Sequence, residues 1–118
     1  MPKKILVIDD DAATRGLLKP FLVSKGFDVE TAPDGEEGLA KTRSWKPDLI
    51  VLDVVMPKMD GYEFVKVIKK DDVLRKIPLI VLTAREMMRD VFVQEGVKDY
   101  VTKPYDPEEL LKTVSKYL

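Results

Sequence analysis

The chain has 118 residues, enough for one domain with one core, and its 45% apolar and 35% charged composition is that of an ordinary globular domain. A formal charge of −1 gives no basic excess to neutralise a phosphate backbone, so nucleic acid is not an expected partner. Cysteine and histidine are both absent. That excludes disulfides, Cys-ligated zinc, Ser-His and Cys-His nucleophile pairs, and a phosphohistidine on this chain.

Continuous apolar runs reach only about four residues, far below a membrane span. Met1-Pro2-Lys3-Lys4 leads straight into a strand, with no signal-peptide hydrophobic region. The expectation is a cytoplasmic protein with no membrane partner.

In chain order, Ile5-Leu6-Val7-Ile8 is the first strand. It is continuous rather than alternating, the habit of a parallel strand covered by helices on both faces. A first helix is predicted over residues 12–25, with Leu17, Leu18, Phe21 and Leu22 on one face and Gly26 as its stop. Pro20 lies inside it, and a kink eased by Gly16 is expected. Phe27 to Thr31 is a weaker strand. Asp34 and Glu37 have capping-box spacing before a second helix over 35–45. Leu49-Ile50-Val51-Leu52 is the third strand, and Asp60 and Glu63 open a third helix over 61–70.

Leu79-Ile80-Val81-Leu82 is the fourth strand. Met87, Met88, Val91 and Phe92 mark a fourth helix stopped by Gly96. Lys98 to Thr102 is a fifth strand. Asp106, Pro107 and Glu109 occupy N-cap, N1 and N3 of a fifth helix carrying Leu110, Leu111, Val114 and Tyr117. Strand then helix, five times over, predicts an α/β fold: a doubly wound five-stranded parallel sheet with five helices. No linker or low-complexity tract divides residues 1–118, so a single domain is expected, with no output domain in this chain.

Ligands of such sheets bind outside the carboxyl ends of the strands. The first strand leads into Asp9-Asp10-Asp11, the third into Asp53, the fourth into Thr83-Ala84 and the fifth into Lys103-Pro104. Each alone has a plain explanation: solvated loop carboxylates, a helix cap at Asp11, a strand-end hydroxyl, one surface lysine among many. Asp53 is sharper, because a charge ending a wholly apolar strand is usually paired or used. Together they fit one chemistry. Clustered carboxylates repel, and a hard divalent cation such as Mg²⁺, or Mn²⁺ in its place, relieves that repulsion. A carboxylate can take a phosphoryl group, and a metal, a hydroxyl and an ammonium suit its three oxygens.

The stretches ILVIDDD, PDLIVLDVVMPKMDGYEF, PLIVLTA and DYVTKP resemble the receiver domain of bacterial two-component response regulators, and stand-alone chemotaxis-type regulators in particular. The resemblance covers essentially the whole chain and implies the flavodoxin-like receiver topology. It implies that Asp53 is the phosphoacceptor, and that Asp9, Asp10, Asp53 and the Val55 backbone carbonyl surround the metal, with Asp9 reaching it through water. It implies that Thr83, Ala84 and Lys103 contact the phosphoryl group, that Pro104 follows a cis bond, and that Thr83 and Tyr100 form the switch. Met56-Pro57 and Asp60-Gly61 match the turn before the third helix. The implied partners are a sensor histidine kinase or phosphotransfer protein, a small acyl phosphate, and a downstream protein docked on the face of the fourth helix, fifth strand and fifth helix. The implied state is a monomer or a phosphorylation-promoted dimer. Lys103 is expected to matter more for phosphoryl chemistry than for stability. Apolar Val55 and long Arg85, flanking the acyl phosphate in sequence, lead to an expectation of slow self-hydrolysis. Thr83 to Lys103 is shorter than the family pattern by about two residues, which puts the switch geometry in doubt.

The implied role is that of a phosphoacceptor which catalyses only its own phosphorylation and dephosphorylation. The competing enzyme reading is a haloacid-dehalogenase-like phosphatase with Asp9 as nucleophile, in which Asp53 has no clear work. A phosphorylation-independent interaction module is a third reading. Flavin binding is a fourth, opposed by three aspartates where a flavin phosphate would lie.

Overall fold

A computed structural model of the chain describes residues 2–53, 61–83, 97–103 and 105–118. The elements are β1 (Lys4–Ile8), α1 (Ala12–Ser24), β2 (Asp28–Ala32), α2 (Gly35–Trp45), β3 (Leu49–Asp53), α3 (Gly61–Lys70), a 3-10 turn (Leu74–Lys76), β4 (Leu79–Thr83), β5 (Asp99–Thr102) and α4 (Pro107–Lys116). The strands form one parallel sheet in the order β2-β1-β3-β4-β5. The fourth predicted helix, with Met87, Met88, Val91, Phe92 and the Gly96 stop, lies outside the described residues, as do the Asp60 cap and the Met56-Pro57 turn. The doubly wound parallel fold stands as expected.

The continuous apolar runs have a plain cause. Along β1, Leu6 and Ile8 face one layer while Ile5 and Val7 face the other. Both faces are dry, so no position can be polar. Leu39 of α2 and Phe64, Val65 and Ile68 of α3 cover the first face. Leu18 and Leu22 of α1 and Leu110 and Val114 of α4 cover the second.

The helix ends follow their caps. The Asp34 carboxylate accepts the Glu37 N–H at 2.9 Å, and Asp106 accepts the Glu108 N–H at 3.0 Å with Pro107 at the first helical position. At the end of α1, Gly26 takes φ 97, in the left-handed region open to glycine, and its N–H donates to the Val23 carbonyl. The helix runs from Ala12 to Ser24 through Pro20, which is solvent-exposed. One expected face needs correction. Leu18 and Leu22 are buried and Phe21 is half-buried, but Leu17 is 55% exposed. A 3.6-residue period cannot bring two successive residues equally onto one contact line. The 3-10 turn was not legible as an element; the Asp71 carboxylate opens it by accepting the N–H groups of Val73 and Leu74.

Gly38 lets α2 approach β1 at the residue before the acidic pair. A Cβ there would stand 2.5 Å from Ile8 Cδ1 and 2.9 Å from Ile8 Cγ1. Gly38→Ala should gain up to about 1 kcal/mol in helix propensity but lose about 1–3 kcal/mol to overpacking against fully buried Ile8. The expected outcome in urea unfolding is a net loss on the order of 1 kcal/mol, which shrinks in an Ile8→Val background. A higher midpoint for Gly38→Ala alone would contradict this contact.

Candidate functional site

Strand register assembles the site. Ile8 pairs with Leu52, so the next residues outward, Asp9 and Asp53, stand side by side at the carboxyl edge. Thr83 pairs with Thr102, so Lys103 leaves β5 at that same edge. The chain therefore converges from positions 9, 53 and 103 because parallel strands all end on one side.

Asp9 is fully buried and Asp53 is 6% exposed. Lys103 Nζ donates to Asp53 Oδ1 at 3.0 Å and lies 3.9 Å from Asp9 Oδ2. Asp9 Oδ1 accepts the Asp11 N–H at 2.9 Å, while Asp9 Oδ2 is buried with no hydrogen-bond partner. Burial pushes the Asp9 carboxyl up to about 6. The Asp53 and Asp10 charges add to this, while the Asp11 N–H and Lys103 pull the other way.

One carboxylate oxygen from each of Asp9, Asp10 and Asp53 lies within 4.8 Å of the others, with Asp10 exposed to solvent. An orphaned buried carboxylate oxygen is costly unless a cation completes it. Three hard oxygen donors with one open side suit Mg²⁺ or Mn²⁺, which keep several waters. The residues present thus fit a divalent cation.

Asp11 stays out of the cluster. Its carboxylate accepts the Ala13 N–H and the Thr14 hydroxyl, both at 3.0 Å, capping α1, and these bonds hold it below the usual carboxylate range. Val55, Ala84, Arg85 and Pro104 lie outside the described residues. Thr83 ends β4, and its side-chain role lies outside what is described. Tyr100 pairs with Val81 across β4–β5 and packs half-buried at the margin of the Phe64 layer.

Two nearby residues were missed from sequence. Tyr105 is half-buried, and its phenol is pushed up to about 12 by burial and then by the Asp9, Asp53 and Asp11 charges. Its position two residues after Lys103 was the available signal. Arg15 Nη1 donates to the Asp9 backbone carbonyl at 2.7 Å, and no local pattern marks it.

Residues 5–115 match the family model of the response regulator receiver domain. The chain belongs to that family. This receiver domain is 43% identical to the alkaline phosphatase synthesis transcriptional regulatory protein PhoP of Bacillus subtilis, over all of this chain and 49% of that protein. It is 40% identical to the DNA-binding dual master transcriptional regulator RpaA of Synechocystis, again over all of this chain and 49% of that one. The receiver thus spans about half the length of these curated relatives. Among solved structures, the chemotaxis response regulator CheY4 of Vibrio cholerae superposes with a TM-score of 0.93 at 35% identity, with both chains fully covered. The receiver domain of the sensor histidine kinase PA1611 of Pseudomonas aeruginosa superposes with a TM-score of 0.89 at 27% identity, over 99% of this chain and 98% of that one. That structure has a magnesium ion coordinated in its active site cleft. Family membership sets aside the haloacid-dehalogenase and flavin readings. Among the described residues no helix is long and apolar enough to cross a membrane.

Proposed function

We propose that this receiver domain accepts a phosphoryl group on Asp53 in a Mg²⁺-dependent reaction, and that residues 1–118 act as one phosphorylation switch for a protein partner. The observation that carries this is the position of Asp53. It is nearly buried, ends β3, is gripped by Lys103 at 3.0 Å and shares a 4.8 Å cluster with Asp9 and Asp10.

In the proposed step an oxygen of the Asp53 carboxylate attacks phosphorus. The N–P bond of a phosphohistidine, or the O–P bond of an acyl phosphate, breaks, and its electron pair leaves with the histidine or the carboxylate. Lys103 orients Asp53 and offsets charge on the transferred group. Asp9, Asp10 and Asp53 would hold Mg²⁺, or Mn²⁺ in its place, which supplies neutralisation of the phosphoryl oxygens when bound. The histidine would belong to a sensor kinase or phosphotransfer protein, since this chain has none. The phosphoryl group adds about −1.5 to −2 charge beside Asp9, and the response is expected to reach Thr83 and Tyr100 and the face around β5 and α4. Some relatives are named as DNA-binding regulators. With a charge of −1 this segment has no electrostatic basis for that role, so its proposed output is a protein contact.

The test is intact mass spectrometry after incubation with acetyl phosphate. One phosphoryl group should appear with millimolar Mg²⁺ and none in excess chelator. No mass gain with Mg²⁺ would refute the proposal, and equal gain with chelator would refute its metal requirement.

A further inference from the structure

The Asp9–Asp10 peptide is the covalent hinge between the buried member of the acidic cluster and the exposed one. Its orientation sets where both carboxylates point. The Asp9 N–H is held by the Ala32 carbonyl at 3.0 Å, and its carboxylate by the Asp11 N–H at 2.9 Å. Its carbonyl lies just past the end of β1, which stops at Ile8. Arg15 reaches back from the second turn of α1 and donates Nη1 to that carbonyl at 2.7 Å, a short, charge-assisted bond. The Arg15 backbone N–H also donates to the Asp11 carbonyl at 3.1 Å. That second bond is the first backbone turn of α1, so the side-chain bond to the Asp9 carbonyl is what the arginine itself adds.

We propose that Arg15 is a positioning residue of the acidic site: its guanidinium locks the Asp9–Asp10 peptide so that both carboxylates converge on Asp53. The inference rests on the metal-assisted reading of that cluster. Arg15 does not hold the cation. It acts through the Asp9 carbonyl, as an outer-shell group that fixes the orientation of metal-binding side chains. A packing role is the competing explanation, because Arg15 also lines a groove of about 470 Å³ with Lys19, Pro20, Val23 and Thr31.

Mg²⁺ titrations of wild type, Arg15→Met and Arg15→Lys, followed by amide shifts at residues 9–11 and 53, separate the two. Arg15→Met keeps the stem and removes the donor. It should weaken Mg²⁺ binding roughly tenfold, the low end for outer-shell partners. Its metal-free melting temperature should fall by only a few degrees, and Arg15→Lys should recover part of the affinity. Mg²⁺ affinity in Arg15→Met within about twofold of wild type overturns the inference, as does an equal loss in both variants, which places the effect in packing. If Arg15→Met is too unstable to titrate, Arg15→Gln is read against the same twofold limit. A wild type without Mg²⁺-dependent shifts at these residues instead defeats the metal-assisted reading itself, and this inference with it.

Discussion

Asp53→Asn is expected to remain at its unmodified mass under acetyl phosphate and Mg²⁺ conditions that modify the wild type. The substitution keeps size and shape at the end of β3, and an amide oxygen can still accept the Lys103 bond now made at 3.0 Å. What it removes is the anionic nucleophile, and a neutral amide does not attack phosphorus at a useful rate. Among the described residues no other carboxylate has the same setting. Asp9 has one oxygen engaged by the Asp11 N–H and is fully buried, while Asp10 is exposed and unsupported by Lys103. The variant should remain folded by circular dichroism, because β3 is held by its ladders to β1 and β4 rather than by this charge. Undiminished labelling of Asp53→Asn would move the acceptor elsewhere, with Asp9 and Asp10 next to be tested by peptide mapping.

Asp9→Asn should stabilise the metal-free protein and abolish its stabilisation by Mg²⁺. The Asp9 carboxyl titrates near 6 in the fold against an ordinary value of 3.8, chiefly because it is buried. The folded state therefore favours the protonated form. The stability this group contributes is fully present below the ordinary value and is lost as pH rises through about 6. At pH 8 the buried anion costs on the order of 2–3 kcal/mol, at 1.36 kcal/mol per unit. Asparagine keeps the acceptor for the Asp11 N–H but carries no charge. Urea unfolding in chelator should show Asp9→Asn more stable than wild type at pH 8, with the gap closing towards pH 4.5. Millimolar Mg²⁺ should raise the wild-type midpoint and leave the variant unchanged, because ligand binding to the native state stabilises it by mass action. An Asp9→Asn variant that is less stable at pH 8 would show that Lys103 outweighs the cost of burial. An equal Mg²⁺ response in both proteins would remove Asp9 from the metal site.

Lys103 works on both sides of this balance. Its ammonium lies 3.0 Å from Asp53 and 3.9 Å from Asp9, where the proposed cation would compete with it for the same charge. Repulsion among the carboxylates is thus contained, at some cost, in the metal-free state. That is the usual pattern for a functional cluster, where local stability is given up for reactivity.

The sequence by itself determined the layers of this protein. Leu49 to Leu52 and Leu79 to Leu82 read as strands covered on both faces, because no polar position interrupts them and Pro47 and Pro78 limit helix just before them. Asp34 and Asp106 marked helix starts, because a short carboxylate can reach an unpaired N–H at the first turn. Asp53 stood out because a charge at the end of a dry strand demands a reason. These are local properties, carried by neighbours in the chain. Tertiary structure alone decided that Ile8 pairs with Leu52, and hence that Asp9 and Asp53 share their repulsion. It decided that Asp9 Oδ2 is buried without a hydrogen-bond partner, that Leu17 faces solvent, and that Gly38 admits Ile8. It also brought Arg15 to the Asp9 carbonyl, a bond made by a side chain crossing a loop. The physical reason is common to these cases. Hydrophobic period and capping chemistry act over three or four residues, whereas register, burial of a single oxygen and the reach of a long side chain depend on which surfaces meet after the chain has closed on itself.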